Sequence, residues 1–405
     1  MSRPGDKREP SDLAIFGRPP AFSEPLHVGR PNLGDREIFL RRMAEIWDRN
    51  WLTNDGPMVR LLEQKLAEFV GVKHCVALCN ATIALEIAIR ALGLTGEVIV
   101  PSFTFVATAH ALQWQEITPL FCDIEAQNHT IDPKRIEQLI TPRTSGIIGV
   151  HLWGRPCDVE ALEGIAQRRN LKLLFDAAHA FGCSSKGKRI GGFGRCEIFS
   201  FHATKFFNSF EGGAILTNDG DLAEKTRLMR NFGFRGYDNV IYIGTNGKMT
   251  EPCAAMGLTS LESVGDFVRR NRSNHTVYGR ELAGLDGLRL MEYDSPEDRN
   301  YQYVVLEIDE AASGLARDEL VAVLMAENVR ARRYFHPGCH RMEPYKSLFP
   351  NAGLLLPETE KVCQKIVVLP TGTSVEEATI SSICGIIRIA LSNTASVKAQ
   401  LTARM

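Results

Sequence analysis

Short apolar runs recur along this chain, separated by segments in which apolar residues return every third or fourth position. From residue 57 the two patterns alternate. Helical spacing over 59–70 precedes a strand-like run at 74–79, a helix over 82–92 precedes a strand at 98–100, and a helix over 105–114 precedes a strand at 120–122. Further runs at 146–150, 171–175, 198–201 and 214–216 read as strands. They lack polar alternation, as expected of strands covered on both faces, and the intervening helices predict an α/β fold with a mostly parallel sheet. After about residue 265 the pattern becomes one long polar helix followed by isolated strands at 303–308 and 367–369. This predicts a large domain over 12–265 and a smaller α+β domain over 266–405. No Pro/Gly-rich linker divides them, so close packing is expected. Residues 1–11 are polar and charged, without the apolar core of a secretory signal, and are predicted to be a disordered lead-in.

Composition narrows the partners. With 405 residues the chain can bury a large core, and its formal net charge of -1 gives no basic excess for nucleic acid. No apolar run is long enough to span a bilayer, so no membrane is expected. The ten cysteines are scattered with no C-x-x-C pair, which argues against a zinc site or a disulfide framework; no metal is predicted, and a reducing cytoplasm is the expected compartment.

Candidate chemistry sits at the strand ends. The stretch Ser200-Phe201-His202-Ala203-Thr204-Lys205 closes a strand on a single lysine, and Phe206-Phe207 continues its apolar surroundings. A lysine so placed loses hydration, which disfavours its charged form. A neutral amine can attack an aldehyde to form a Schiff base, so Lys205 is where an enzyme using pyridoxal 5′-phosphate (PLP) would keep its lysine. Taken alone, Lys205 reads more simply as a surface lysine at a strand end. Its company decides. Asn80-Ala81-Thr82 lies between a strand and a helix, where a capped helix N-terminus with free N–H groups can bind an anion. Asp176 follows another strand, where ligands bind in open α/β sheets, and a carboxylate there can pair with a protonated pyridine nitrogen. His179 could lie against that cofactor or hydrogen-bond its phenolic oxygen; it could equally be a core histidine. Phe105, after Pro101-Ser102, can stack on a flat ring or serve the core.

In combination, Asn80-Ala81-Thr82, Pro101-Ser102-Phe103-Thr104-Phe105-Val106-Ala107-Thr108, Asp176-Ala177-Ala178-His179, the lysine stretch, Glu211-Gly212-Gly213 and Gly244-Thr245-Asn246-Gly247-Lys248-Met249-Thr250-Glu251 resemble the DegT/DnrJ/EryC1/StrS sugar aminotransferases over about residues 12–390. The resemblance implies the fold type I PLP-dependent transferase architecture (aspartate aminotransferase-like) and a homodimer with composite active sites. It also implies that Lys205 holds PLP as a Schiff base and later carries a proton, that Asp176 partners the pyridine nitrogen, and that Phe105 stacks on the ring. Ala81, Thr82 and Ser200 match the phosphate cradle, and Asn246 matches the residue that reaches the phosphate from the neighbouring subunit. His179 departs from the glutamine that many members carry.

Two longer segments, Val150 through Cys157 and Tyr334 through Tyr345, look most like TDP-4-keto-6-deoxyglucose 4-aminotransferases of deoxyaminosugar and antibiotic biosynthesis. That likeness implies a nucleotide-sugar substrate, L-glutamate as amino donor and pyridoxamine 5′-phosphate as the intermediate cofactor form. It makes His336 and His340 candidates for lining the sugar–nucleotide pocket, and the loops 52–57 and 234–242 candidates for reading the nucleotide. Amination at C3 or of a UDP sugar stays open, as does a non-catalytic regulator on the same fold. A PLP sugar dehydratase is disfavoured because those relatives carry histidine where this chain has Lys205. A nicotinamide dehydrogenase is disfavoured because no G-x-G-x-x-G follows a strand.

Overall fold

A computed structural model describes residues 7–293 and 296–404. Seven strands form its central sheet: β1 (His74–Leu78), β2 (Glu97–Pro101), β3 (Thr118–Cys122), β4 (Thr144–Val150), β5 (Lys172–Asp176), β6 (Glu197–Ser200) and β7 (Gly213–Thr217). Their order is β1-β7-β6-β5-β4-β2-β3. β7 runs antiparallel to both neighbours, and the other adjacent pairs are parallel. Each strand expected from the apolar runs is present, with ends displaced by a residue or two.

Both faces are covered, which is why consecutive strand residues are apolar. In β1, Val76 and Leu78 join the core with Ala84 and Leu85 of α3 (Ala81–Leu92) and Ala109 of α4 (Ala107–Gln113). Cys75 and Ala77 join the opposite core with Leu62 and Leu66 of α2 (Pro57–Val70). Farther along that second face, Leu173 and Phe175 of β5 pack with Leu162 and Ile165 of α5 (Val159–Arg169). The helix α1 (Arg36–Arg49) is not among the expected elements; it is polar on average, and Ile46 is its one buried residue.

The sequence segment around Thr250-Glu251 has a structural task. Glu251 opens α6 (Glu251–Glu262), is 1% exposed, and accepts hydrogen bonds from the N–H groups of Met58 (2.8 Å) and Val59 (2.9 Å) in the first turn of α2. A carboxylate there satisfies two otherwise orphaned donors and complements the helix dipole. Glu251→Ala is expected to lower stability by about 2–3 kcal/mol, read from denaturant unfolding, because both buried donors lose their acceptor.

The small domain carries the antiparallel strands β8 (Leu288–Leu290), β9 (Val304–Ile308) and β10 (Ile366–Leu369), packed with α8 (Arg317–Ala326) and α9 (Glu377–Ser392). The long helix α7 (Val264–Leu282), at whose start the expected boundary falls, serves both domains. Phe267 lies in the large-domain core, whereas Val277, Tyr278 and Leu282 lie in the small-domain core. The beginning of the chain also departs from expectation. Leu13 and Ile15 are buried in the small-domain core with Leu320 and Leu324, and Lys7, within the expected lead-in of residues 1–11, pairs with buried Glu327 (3.4 Å). Residues 1–6 lie outside the described residues.

Candidate active site

A cavity of about 980 Å³ is lined by residues from the carboxyl ends of β5 and β6, the amino end of α3, and the small domain. Asp176 is the last residue of β5 and is 6% exposed. The Thr108 hydroxyl donates to its Oδ2 (2.8 Å) and the Ala178 N–H to its Oδ1 (3.0 Å). Thr104 Oγ1 lies 3.1 Å from Thr108 Oγ1, so a file of hydroxyls fixes the carboxylate. Burial raises the Asp176 pKa, while these donors, Lys205 and His151 oppose the rise.

Lys205 follows β6 on a loop pinned by an aromatic cluster. Phe207 stacks on Phe181 with ring centroids 4.3 Å apart and meets Phe201 edge-on at 4.9 Å. The buried Asn32 clasps the same loop from the amino-terminal segment: its Nδ2 donates to the Phe206 carbonyl (3.0 Å), and its own carbonyl accepts from Asn208 Nδ2 (2.8 Å). Its Oδ1 accepts from the Thr373 N–H (2.8 Å), which ties the lysine loop to the small domain. The Lys205 side chain is half-buried and reaches the cavity. Burial lowers its pKa to about 8, with Asp176 opposing the fall. The amine therefore has a substantial neutral, nucleophilic fraction near neutral pH.

The residues expected to bind an anion lie together at the amino end of α3. Asn80 caps α3 by accepting from the Ile83 N–H (2.9 Å), which leaves the N–H groups of Ala81 and Thr82 at the cavity. Ser200, at the end of β6, shares the lining. Gly213 on β7 permits this approach: a Cβ there would stand 2.6 Å from the Ala81 nitrogen. Phe105 is 59% exposed within the cavity wall, whereas its neighbour Phe103 is wholly buried in the core. His179 is 7% exposed and lines the cavity; its Nε2 meets the Tyr303 hydroxyl (3.0 Å), while its Nδ1 has no partner among the described residues.

The structure gathers Ala81, Thr82, Phe105, Asp176, His179, Ser200 and Lys205 around one cavity. It does not bring His336 or His340 there. His336 Nδ1 lies 3.2 Å from the Cys363 carbonyl and 3.3 Å from Arg317. His340 is buried between Ser102 Oγ (2.7 Å) and Glu360 Oε1 (2.7 Å), where it joins the large domain to the helix Pro357–Lys365. Asn246 is exposed and does not line the cavity of its own chain; its loop abuts the anion site, since the Gly247 carbonyl accepts from the Cys79 N–H (2.8 Å). Of the two candidate nucleotide loops, neither lines the cavity. Lining residues missed in the sequence are His27, Arg30, Tyr303, Arg332, Tyr334 and Phe335.

An amine of depressed pKa, a buried carboxylate, an open helix N-terminus and an exposed aromatic face around one cavity define the class of PLP-dependent transferases. The residues fit the cofactor: α3 and Ser200 for its phosphate, Asp176 for its ring nitrogen, Phe105 for its face, and the unpartnered His179 Nδ1 for a polar substituent. The chain belongs to the DegT/DnrJ/EryC1/StrS aminotransferase family, whose match covers residues 34–388. It is 38% identical over 369 residues to the dTDP-4-amino-4,6-dideoxy-D-glucose transaminase of Shigella dysenteriae, covering 91% of this chain and 99% of that one. It is 36% identical over 313 residues to the GDP-perosamine synthase of Caulobacter vibrioides, covering 76% and 83%. Its fold superposes on that of DesI, crystallised in the presence of its TDP-sugar product, with a TM-score of 0.92 and 46% identity over 97% of this chain and 99% of DesI.

Proposed function

We propose that this enzyme moves an amino group from L-glutamate to the C4 ketone of a TDP-linked 4-keto-6-deoxyhexose, in the cytoplasm, for deoxyaminosugar biosynthesis. The pairing of Lys205 with Asp176 beneath the anion-binding end of α3 carries the aminotransferase chemistry. The names of the relatives support the sugar: one makes or uses a 4-amino-4,6-dideoxyglucose on dTDP, and DesI holds a TDP-sugar product. Arg30 and Arg332, on the exposed part of the lining, suit a diphosphate or a donor carboxylate.

Bound PLP would supply an electrophilic carbon for the amino group and a protonated ring that withdraws electrons. Lys205 would hold that cofactor, and its neutral Nζ would take the proton from Cα of glutamate and later deliver one to C4 of the sugar. Asp176, whose ionised form Thr108 and the Ala178 N–H favour against the cost of burial, would hold the proton on the ring nitrogen. Tyr303, Tyr334 and Phe335 form an aromatic part of the cavity wall and lower the polarity beside these transfers.

The exposure of Asn246 outside the cavity of its own chain supports a homodimer with composite sites, in which it would serve the neighbouring subunit. Exposed apolar side chains at Leu33, Leu40, Trp47, Val240 and Ile243 suit such an interface. The ten free thiols fit a reducing compartment.

A single turnover of the pyridoxamine-phosphate enzyme with TDP-4-keto-6-deoxyglucose tests the reading, following PLP absorbance and the product by NMR. Return of PLP with an amine at C4 is the expected result. An amine at C3 would overturn the regiochemistry. Faster return with the UDP or GDP sugar would overturn the nucleotide, and the perosamine relative makes GDP the second choice.

A further inference from the structure

His179 lines the cavity with one ring nitrogen unpartnered among the described residues, and histidine brings a difficulty there that a carboxamide does not. A neutral imidazole has one N–H, and either ring nitrogen can carry it. Burial and the nearby Lys205 keep this imidazole neutral. Its ring is held on three sides by aromatic neighbours: Tyr303 with centroids 4.5 Å apart, Trp153 at 5.9 Å and Phe335 at 5.9 Å. Asn300 Nδ2 also donates to the His179 carbonyl (2.8 Å), so the small domain fixes its backbone too.

The hydrogen-bond inventory settles which nitrogen is protonated. The Tyr303 hydroxyl is buried and remains a phenol; the Gln302 side chain bonds to its oxygen as a donor, and His179 Nε2 lies 3.0 Å away as the acceptor within reach of its O–H. A buried O–H donates wherever an acceptor is within reach, and an imidazole sp² nitrogen is a stronger acceptor than a phenol oxygen. Nε2 therefore accepts, which leaves the proton on Nδ1. That nitrogen is the one with no partner, on a side chain lining the cavity. We propose that Tyr303 is a positioning residue: its hydroxyl locks His179 in the Nδ1-protonated tautomer, so that a fixed N–H is presented to the phenolic oxygen of the cofactor. The inference rests on the cavity being a PLP site. It makes the small domain, through Tyr303 ahead of β9, a determinant of cofactor electronics, although Lys205 and Asp176 both belong to the large domain.

Two measurements test it. In the cofactor-free protein labelled with ¹⁵N-histidine, the His179 signals, identified by their loss in His179→Gln, should show a protonated Nδ1 and an unprotonated Nε2. In Tyr303→Phe both nitrogens should move toward the average of two tautomers. A protonated Nε2 in the unaltered protein overturns the proposal. In the holoenzyme, loss of a donor to the phenolic oxygen leaves more charge there and makes the adjoining nitrogen more basic. Tyr303→Phe should therefore raise the pH midpoint of the visible cofactor absorbance by about one unit. In the His179→Gln background the same change should leave the midpoint where it was, because a carboxamide donates without a tautomer to choose. Equal shifts in both backgrounds, or none in either, overturn it. Failure to develop any visible cofactor band overturns the PLP reading instead, and the cofactor-free spectrum still decides the tautomer.

Discussion

Lys205→Ala is expected to yield a folded protein that retains no covalently bound cofactor and loses at least about a thousandfold in turnover, the range for removing both a nucleophile and a proton carrier. Folding should not suffer, since a half-buried ammonium that burial disfavours is removed from the cavity. Retained thermal stability alongside lost turnover is thus the signature; normal multiple turnover would refute the assignment. The unaltered lysine adds a pH dependence of known sign. Its amine is depressed to about 8, so cofactor uptake by the empty enzyme should quicken as pH rises through that value and level off above it. An uptake rate that stays flat from pH 7 to 9.5 would show that Lys205 is not the attacking amine.

Asp176→Asn should cost about a hundred- to a thousandfold in kcat, because an amide cannot hold a proton on a ring nitrogen. The fold should tolerate it: the amide oxygen can still accept from the Ala178 N–H, and the Thr108 hydroxyl can turn to accept from the new NH₂. The variant should also move the lysine. Asp176 raises the Lys205 pKa against burial, so removing its charge shifts the midpoint of cofactor uptake below about 8. A midpoint that rises would mean that the carboxylate does not face the amine. Unchanged catalysis with cofactor bound would remove Asp176 from the chemistry.

The central site was legible in the sequence because each of its parts is local. Ala81, Asp176, Ser200 and Lys205 sit within a few residues of a strand end, and the apolar runs locate strand ends well. Of the two phenylalanines after Pro101-Ser102, Phe105 is exposed to the cavity and Phe103 is buried, a difference that no local pattern at two alternate positions beyond a strand end could foretell. What escaped came from afar. Arg30 and Tyr303 reach the cavity from opposite ends of the chain, and nothing in their neighbours signals a shared wall. In the segment around 334–340, Tyr334 and Phe335 line the cavity, while His336 and His340 bond to Cys363, Ser102 and Glu360. Chemistry-bearing residues invited a functional reading; long-range packing had used them otherwise. Likewise, no local pattern could show that α7 serves two cores.

The seating of the chain's beginning on its last third has a consequence for synthesis. Glu327 is fully buried and accepts from the N–H groups of Ala14 and Ala21, both at 2.6 Å, more than three hundred residues upstream. Leu13 and Ile15 leave the ribosome before α8 and α9, so their burial waits for those helices to emerge. While the roughly three hundred residues between them and those helices are made, they remain uncovered apolar surface, open to chaperones or to mispairing with another nascent chain. Closing the small domain is therefore among the last acts of folding, and the clasp of Asn32 on the lysine loop is completed only then, when Thr373 has arrived.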